Sequence, residues 1–188
     1  MSLTTDSTIA RAGIPEVAAD ERAERLTGAG AAWSDRIAAD DANAHLTYTV
    51  RGVGEGSVAS VITAGKHTFT VDEPAALAGD DVAASPVEFA LGALISCQIV
   101  VYRLYAQNLG IRVDSVTAKA EGDLDVKGLF GVDDSVRPGF SAVRLTINVT
   151  GPESDERYEE LHRAVDAHCP VLDLFANATP VSVELVAN

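Results

Sequence analysis

Residues 86–109, "PVEFALGALISCQIVVYRLYAQNL", read as one helix that is apolar on nearly every side, and this segment constrains the fold more than any other. Ser85 stands as N-cap ahead of Pro86 at the first helical position, and Gly110 supplies the residue that stops the helix. One small sheet cannot cover such a helix, so a second copy of the chain is expected to bury its other side. The expected assembly is an obligate homodimer with a large shared interface. The most apolar stretch, Phe89 to Tyr102, runs for about 14 residues and contains Gln98, short of the roughly 20 of a membrane span, so a soluble chain is expected.

The segments on either side carry a different period. "HLTYTVRG" (45–52), "GSVASVITAG" (56–65) and "KHTFTVDEP" (66–74) place apolar residues at alternate positions, which predicts three antiparallel strands joined by turns in "GVGEG" and "AG". "IRVDSVTAKAEGDLDV" (111–126) and "FSAVRLTINVTG" (140–151) alternate again, separated by a glycine- and charge-bearing loop. "PESDERYEELHRAVDAH" (152–168) has acidic residues at its start and Tyr158, Leu161 and Val165 at helical spacing. A short helix after Pro170 and a last strand, "PVSVELVA" (180–187), follow. Strands grouped rather than alternating singly with helices predict an α+β fold with antiparallel sheets. Residues 1–43, rich in Ala, Asp, Glu and Arg, form a helical or partly ordered arm with two short helices, over 16–26 and 31–42; residues 44–188 form one domain.

At 47% hydrophobic and 22% charged, the 188 residues have ample chain for a core that needs no disulfide staple. Fourteen Lys and Arg against 28 Asp and Glu give a net charge of −14, which repels phosphate backbones and anionic lipid surfaces. Neither nucleic acid nor a membrane is an expected partner. The opening "MSLTTDSTIARAGIPEV" lacks a basic region followed by an apolar one, so no secretory signal is read and the reducing cytoplasm is the expected compartment.

Only two cysteines occur, Cys97 within the apolar helix and Cys169 just before Pro170. Cys97 stands about eleven residues into its helix, beyond the reach of the helix dipole, and an apolar setting opposes ionisation of a thiol. A reactive Cys97 therefore needs a cation or a hydrogen-bond donor from another segment. At Cys169 the backbone N–H groups of a beginning helix would stabilise a thiolate. Two thiols 72 positions apart, with His67, His162 and His168 at no zinc-site spacing, do not describe a metal centre, and no His with an orienting partner stands near either thiol for hydrolase chemistry. The residues alone leave both readings open: two small buried hydrophobes, or a reactive pair.

"SPVEFALGALISC" followed by "AHCPVLDLFANATPVSVEL", together with "HTFTVDEP" and "GDLDVKGLFGVDDSVRPGF", resembles the OsmC/Ohr family of osmotically inducible and organic-hydroperoxide-resistance proteins over roughly Thr47 to Val186. The resemblance implies a thiol peroxidase working as an intertwined dimer without metal or haem. Cys97 then matches the peroxidatic cysteine, which cleaves the O–O bond of an organic hydroperoxide and becomes a sulfenic acid. Cys169 matches the resolving cysteine, which condenses with it to a disulfide. An external dithiol reductant, lipoyl groups in the better-known members, restores the thiols.

The sequence departs from the family's pattern twice. A glutamate is expected ten residues before the peroxidatic cysteine, where this chain has Val87, and Glu88 is one step, about 100°, further round the helix. The partner arginine belongs to a "G-R-E-G" turn, where this chain has Gly54; Arg51 and Arg137 are the nearest candidates to replace it. "P-x-E", as in Pro86-Val87-Glu88, is similar to a less characterised branch of the family. Two other readings keep the fold: a small-ligand binding protein with altered peroxidase chemistry, and a redox-sensing thiol pair that signals through a partner. Glu88 also has a purely structural role open to it at the helix N-terminus, and His67 and His168 read as spectators.

Overall fold

The computed structural model describes residues 13–15 and 17–187. Helix α1 (Ala19–Ala39) is followed by a 3-10 turn and by strands β1 (Val50–Glu55), β2 (Ala59–Ala64) and β3 (His67–Val71), which form an antiparallel sheet in that order. A loop leads to the long helix α2 (Pro86–Leu109). Strand β4 (Ser115–Asp123), one turn of helix α3 (Val126–Leu129) and strand β5 (Ala142–Thr150) make a second antiparallel sheet. Helices α4 (Asp155–His168) and α5 (Pro170–Ala176) complete the ordered elements. The architecture is the expected α+β class with a long central helix.

The core lies where α2 meets α4, α5 and the second sheet. Val101, Tyr102 and Ala106 of α2 pack with Ile111, Val113, Leu161, Val165 and Cys169, and Val116, Ile147, Val149 and Leu172 close around them. Leu161 and Val165 are fully buried, one helical turn apart, as the spacing of α4 requires. β4 and β5 alternate half-buried and exposed residues, the pattern of a sheet with one face on the core.

Several segments depart from the sequence expectation. The two short N-terminal helices are one continuous helix through Gly28 and Gly30, because nothing packs there to impose a break. The first strand begins only at Val50 and takes in Gly52 and Gly54, so "GVGEG" is mostly strand and the turn falls at 56–58. "PVSVELVA" forms no strand; Val183 and Leu185 are 91% and 89% exposed, for want of a neighbouring edge within one chain. α2 is buried on one side only, through Leu94, Gln98, Val101, Tyr102 and Ala106, while Gly92, Ala93, Ser96 and Val100 stay exposed. At 24 residues α2 also has the length and apolar composition to cross a membrane, so the shorter run counted from sequence does not exclude spanning by itself. Its packing against α4, α5 and β4 identifies it as a core helix.

The entry to α2 is fixed by local chemistry. The buried Asp72 carboxylate accepts the N–H groups of Asp80 (3.0 Å) and Val82 (3.2 Å), folding the connecting loop back on itself. Gly79 makes this possible, since a Cβ there would stand 1.7 Å from the Glu73 carbonyl oxygen. Ser85 then closes a capping box. Its N–H donates to Glu88 Oε2 (2.8 Å), its hydroxyl donates to the same oxygen (2.7 Å), and its Oγ accepts the Glu88 N–H. Gly110 ends the helix at φ 62°, a left-handed conformation that a β-carbon would strain.

The Ser85 hydroxyl and N–H hold the Glu88 carboxyl below its ordinary 4.5. A depressed carboxyl contributes stability that is present above 4.5 and is lost as pH falls through the lower folded value. Ser85→Ala is expected to cost about 1 kcal/mol at neutral pH, with the difference from wild type shrinking in acid; urea denaturation at about pH 7 and about pH 3 checks both.

Candidate functional site

Two segments distant in sequence bring the thiols together. Cys97 lies on the side of α2 that packs against the core cluster, and Cys169 belongs to that cluster, at the junction where α4 stops and Pro170 begins α5. Both are free thiols. Cys169 is 2% exposed, whereas Cys97 is half-buried, so only the latter has a route to solvent within one chain.

The electrostatics of Cys169 reverse one expectation. The backbone N–H groups of Leu172 and Val171 do point toward its sulfur and favour the thiolate. Burial, the largest influence, and the neighbouring Cys97 thiol together oppose them, so the Cys169 pKa is raised above its ordinary 9.0. Cys169 is therefore biased toward the protonated thiol.

Of the three other residues expected at the site, Glu88 is turned away from Cys97, and Arg51 and Arg137 are exposed. Glu88 turns back on its own helix start, its carboxylate occupied by Ser85, and nine residues of helix put it about 13 Å along the axis from Cys97. Arg51 stands on β1, which is exposed along its whole length. Arg137 is an exposed residue of the β4–β5 connection. Neither arginine acts on the Cys169 thiol. His168 stacks on Tyr105 with ring centroids 4.7 Å apart, its Nδ1 paired with the Ala164 carbonyl.

Sequence reasoning passed over two features. Gln98, next to Cys97, is fully buried, and neither its amide nitrogen nor its amide oxygen has a partner among the described residues. Its only signal in the sequence is a polar residue inside an apolar run. The second is a chain of contacts from Tyr102 Oη to His162 Nδ1 (2.8 Å) and from His162 Nε2 to Asp166 Oδ2 (3.5 Å), beside a groove between α4 and β5. Burial, and then the Asp166 charge, push the Tyr102 phenol up to about 12, so it stays protonated beside His162. The i, i+4 spacing of His162 and Asp166 was legible, but their link to Tyr102 crosses 60 residues.

An α+β domain whose central helix carries a half-buried thiol beside a buried one is the class of protein that this geometry defines. Residues 79–184, more than half of the chain, match the model of the family described as OsmC-like protein, and the chain belongs to that family. Among solved structures it is similar to an OsmC-like protein from Mycoplasma pneumoniae, with 17% identity and a TM-score of 0.60 over 69% of this chain and 87% of that one. An organic hydroperoxide resistance protein OsmC from Legionella pneumophila aligns with 20% identity and a TM-score of 0.55 over 70% and 90% of the respective chains. One from Elizabethkingia anophelis gives 19% and 0.55 over 70% and 89%. At these identities the likeness establishes the fold. A comparison with curated proteins finds no match.

Because the Cys97 thiol is one cause of the raised Cys169 pKa, Cys97→Ala should lower the Cys169 pKa. The pH dependence of alkylation of the single remaining thiol measures this; a value that does not fall would show that the thiols do not interact.

Proposed function

We propose that the protein is a thiol-dependent peroxidase that reduces organic hydroperoxides to alcohols. The observation that carries this reading is the juxtaposition of Cys97 and Cys169, one more accessible and one buried, from positions 72 residues apart. In the first step the Cys97 thiolate attacks the terminal oxygen of the hydroperoxide. The O–O bond breaks, the sulfur takes that oxygen as a sulfenic acid, and the alkoxide leaves as the alcohol after gaining a proton. In the second, the Cys169 sulfur attacks the sulfenic sulfur, forming the disulfide and releasing water. An external dithiol, of which a lipoyl group is one chemical form, then reduces the disulfide, so the cycle needs a compartment that supplies it. The apolar surroundings of Cys97 favour a bulky organic peroxide over hydrogen peroxide. No resident cofactor or metal takes part in this scheme.

The reading includes a homodimer. The exposed small and apolar face of α2, the unpaired 180–187 segment with alternate Val181, Val183 and Leu185 exposed, and the unpartnered amide of Gln98 all favour a second copy completing the structure. A buried amide without a partner costs about 1–3 kcal/mol, which a partner subunit or a bound substrate would relieve. Arg51 or Arg137 could then reach Cys97 from the other chain and supply the cation that thiolate formation needs. Sedimentation at micromolar concentration is expected to give twice the mass of one chain, and a monomer under those conditions would remove this part of the proposal.

A second reading, an apolar-ligand binding protein of the same fold, draws on one observation: the Glu88 carboxylate is committed to the capping box and is not free to activate a thiol. Stopped-flow oxidation with cumene hydroperoxide separates the two. Peroxidase chemistry predicts rapid loss of both thiols in the wild type, none in Cys97→Ser beyond the background rate, and a single sulfenic-acid burst without turnover in Cys169→Ser. Thiols that persist in the wild type, with thermal stabilisation by an apolar molecule in the double serine variant, would establish the binding protein instead.

A further inference from the structure

The N-terminal helix has no part in the thiol chemistry, yet it builds a second cavity. Where α1 crosses the C-terminal end of α2 there is a cleft of about 250 Å³, and three of the chain's 14 Lys and Arg, Arg22, Arg103 and Arg112, line it. α1 lies outside the residues that match the family model, so the cleft joins a family helix to a segment beyond it. Gln107 of α2 donates to the Thr27 hydroxyl of α1 at 3.1 Å and fixes the crossing.

The guanidinium groups are only partly engaged. Arg22 donates to the Val17 carbonyl (3.0 Å), and Arg103 donates to the Val113 carbonyl (2.9 Å) and, at 3.5 Å, to that of Asp114. Neither forms an ion pair with a carboxylate among the described residues. The nearby Asp114 carboxylate is bridged at 3.0 Å by Arg112. After burial, the closeness of Arg22 is the main influence that disfavours the charged form of Arg103, so two like charges face one cleft in a protein whose net charge is −14. Around them the lining is aliphatic, with Leu26, Ile111, Val113 and several alanines.

We propose that this cleft binds a small organic carboxylate, its oxygens held by the guanidinium groups of Arg22 and Arg103 and its short apolar chain laid against Leu26, Ile111 and Val113. A guanidinium matches a carboxylate in a forked, charge-assisted pair, and a half-buried cleft screens that pair less than open surface does. A bare oxyanion would satisfy the arginines and leave the aliphatic wall unfilled. The proposal is independent of peroxidase activity, since none of its residues is at the thiols.

Isothermal calorimetry of the whole reduced protein with octanoate, and separately with inorganic phosphate, tests it. Octanoate is expected to bind saturably, weakening with added salt, and phosphate to bind far more weakly. Arg22→Gln should cost about tenfold or more in affinity, as loss of a charge-assisted pair does, and Cys97→Ser should leave it unchanged. No residue of α1 is fully buried, so Arg22→Gln leaves the core intact, and Leu26→Glu, which puts a negative charge into the apolar wall, provides a second variant with the same expected loss. Octanoate binding that is absent in the wild type, or that survives Arg22→Gln and Leu26→Glu but fails in Cys97→Ser, would overturn the proposal, the latter by placing the ligand at the thiols. Phosphate binding as tight as octanoate would overturn the carboxylate assignment.

Discussion

Packing of α4 and α5 against one face of α2 is the contact on which the rest depends. Leu161 and Val165 are sealed against Val101, Tyr102 and Ala106, and that seal fixes where α4 ends. Because α4 stops at His168 and Pro170 forces a new helical start, Cys169 is left at a sharp junction directed into the same apolar cluster that Cys97 borders. Deleting side-chain volume from this contact would therefore disturb the thiol pair as well as stability. The capping box at Ser85 and Glu88 acts at the far end, setting where α2 begins and hence which residues its turns present to the core.

The thiol pair illustrates how burial and local dipoles compete. A beginning helix offers N–H groups to Cys169, yet burial and the neighbouring Cys97 thiol together outweigh them. The two thiols differ in exposure by placement: Cys97 lies on a helix side facing the edge of the core, whereas Cys169 lies within it. Tyr102 shows the same rule for a phenol, which burial keeps protonated beside His162 and Asp166.

Apolar surface left uncovered is the other organising constraint. One side of α2, the sheet formed by β1 to β3 and the 180–187 segment all keep apolar residues exposed in the single chain. Exposed apolar area on this scale is seldom left to water in a folded protein, and the alternation of Val181, Val183 and Leu185 is a strand pattern lacking a neighbour. The arginine-lined cleft under α1 is built from other residues than this apolar set.

From the sequence alone, period and punctuation determined the elements that matter most: Ser85, Pro86 and Gly110 bounded α2, the spacing of Tyr158, Leu161 and Val165 gave the face of α4, and alternation gave β4 and β5. These are local effects, set by capping, turn geometry and the side-chain period, and they are written in adjacent residues. The merging of two N-terminal helices into one, the late start of β1 and the failure of 180–187 to form a strand were decided by what each segment could or could not pack against. The meeting of Cys97 with Cys169, the unpaired Gln98 amide and the convergence of Arg22 on Arg103 join residues scores of positions apart. Only tertiary packing brings such groups within reach, because no local period encodes which faces of distant helices will bury one another.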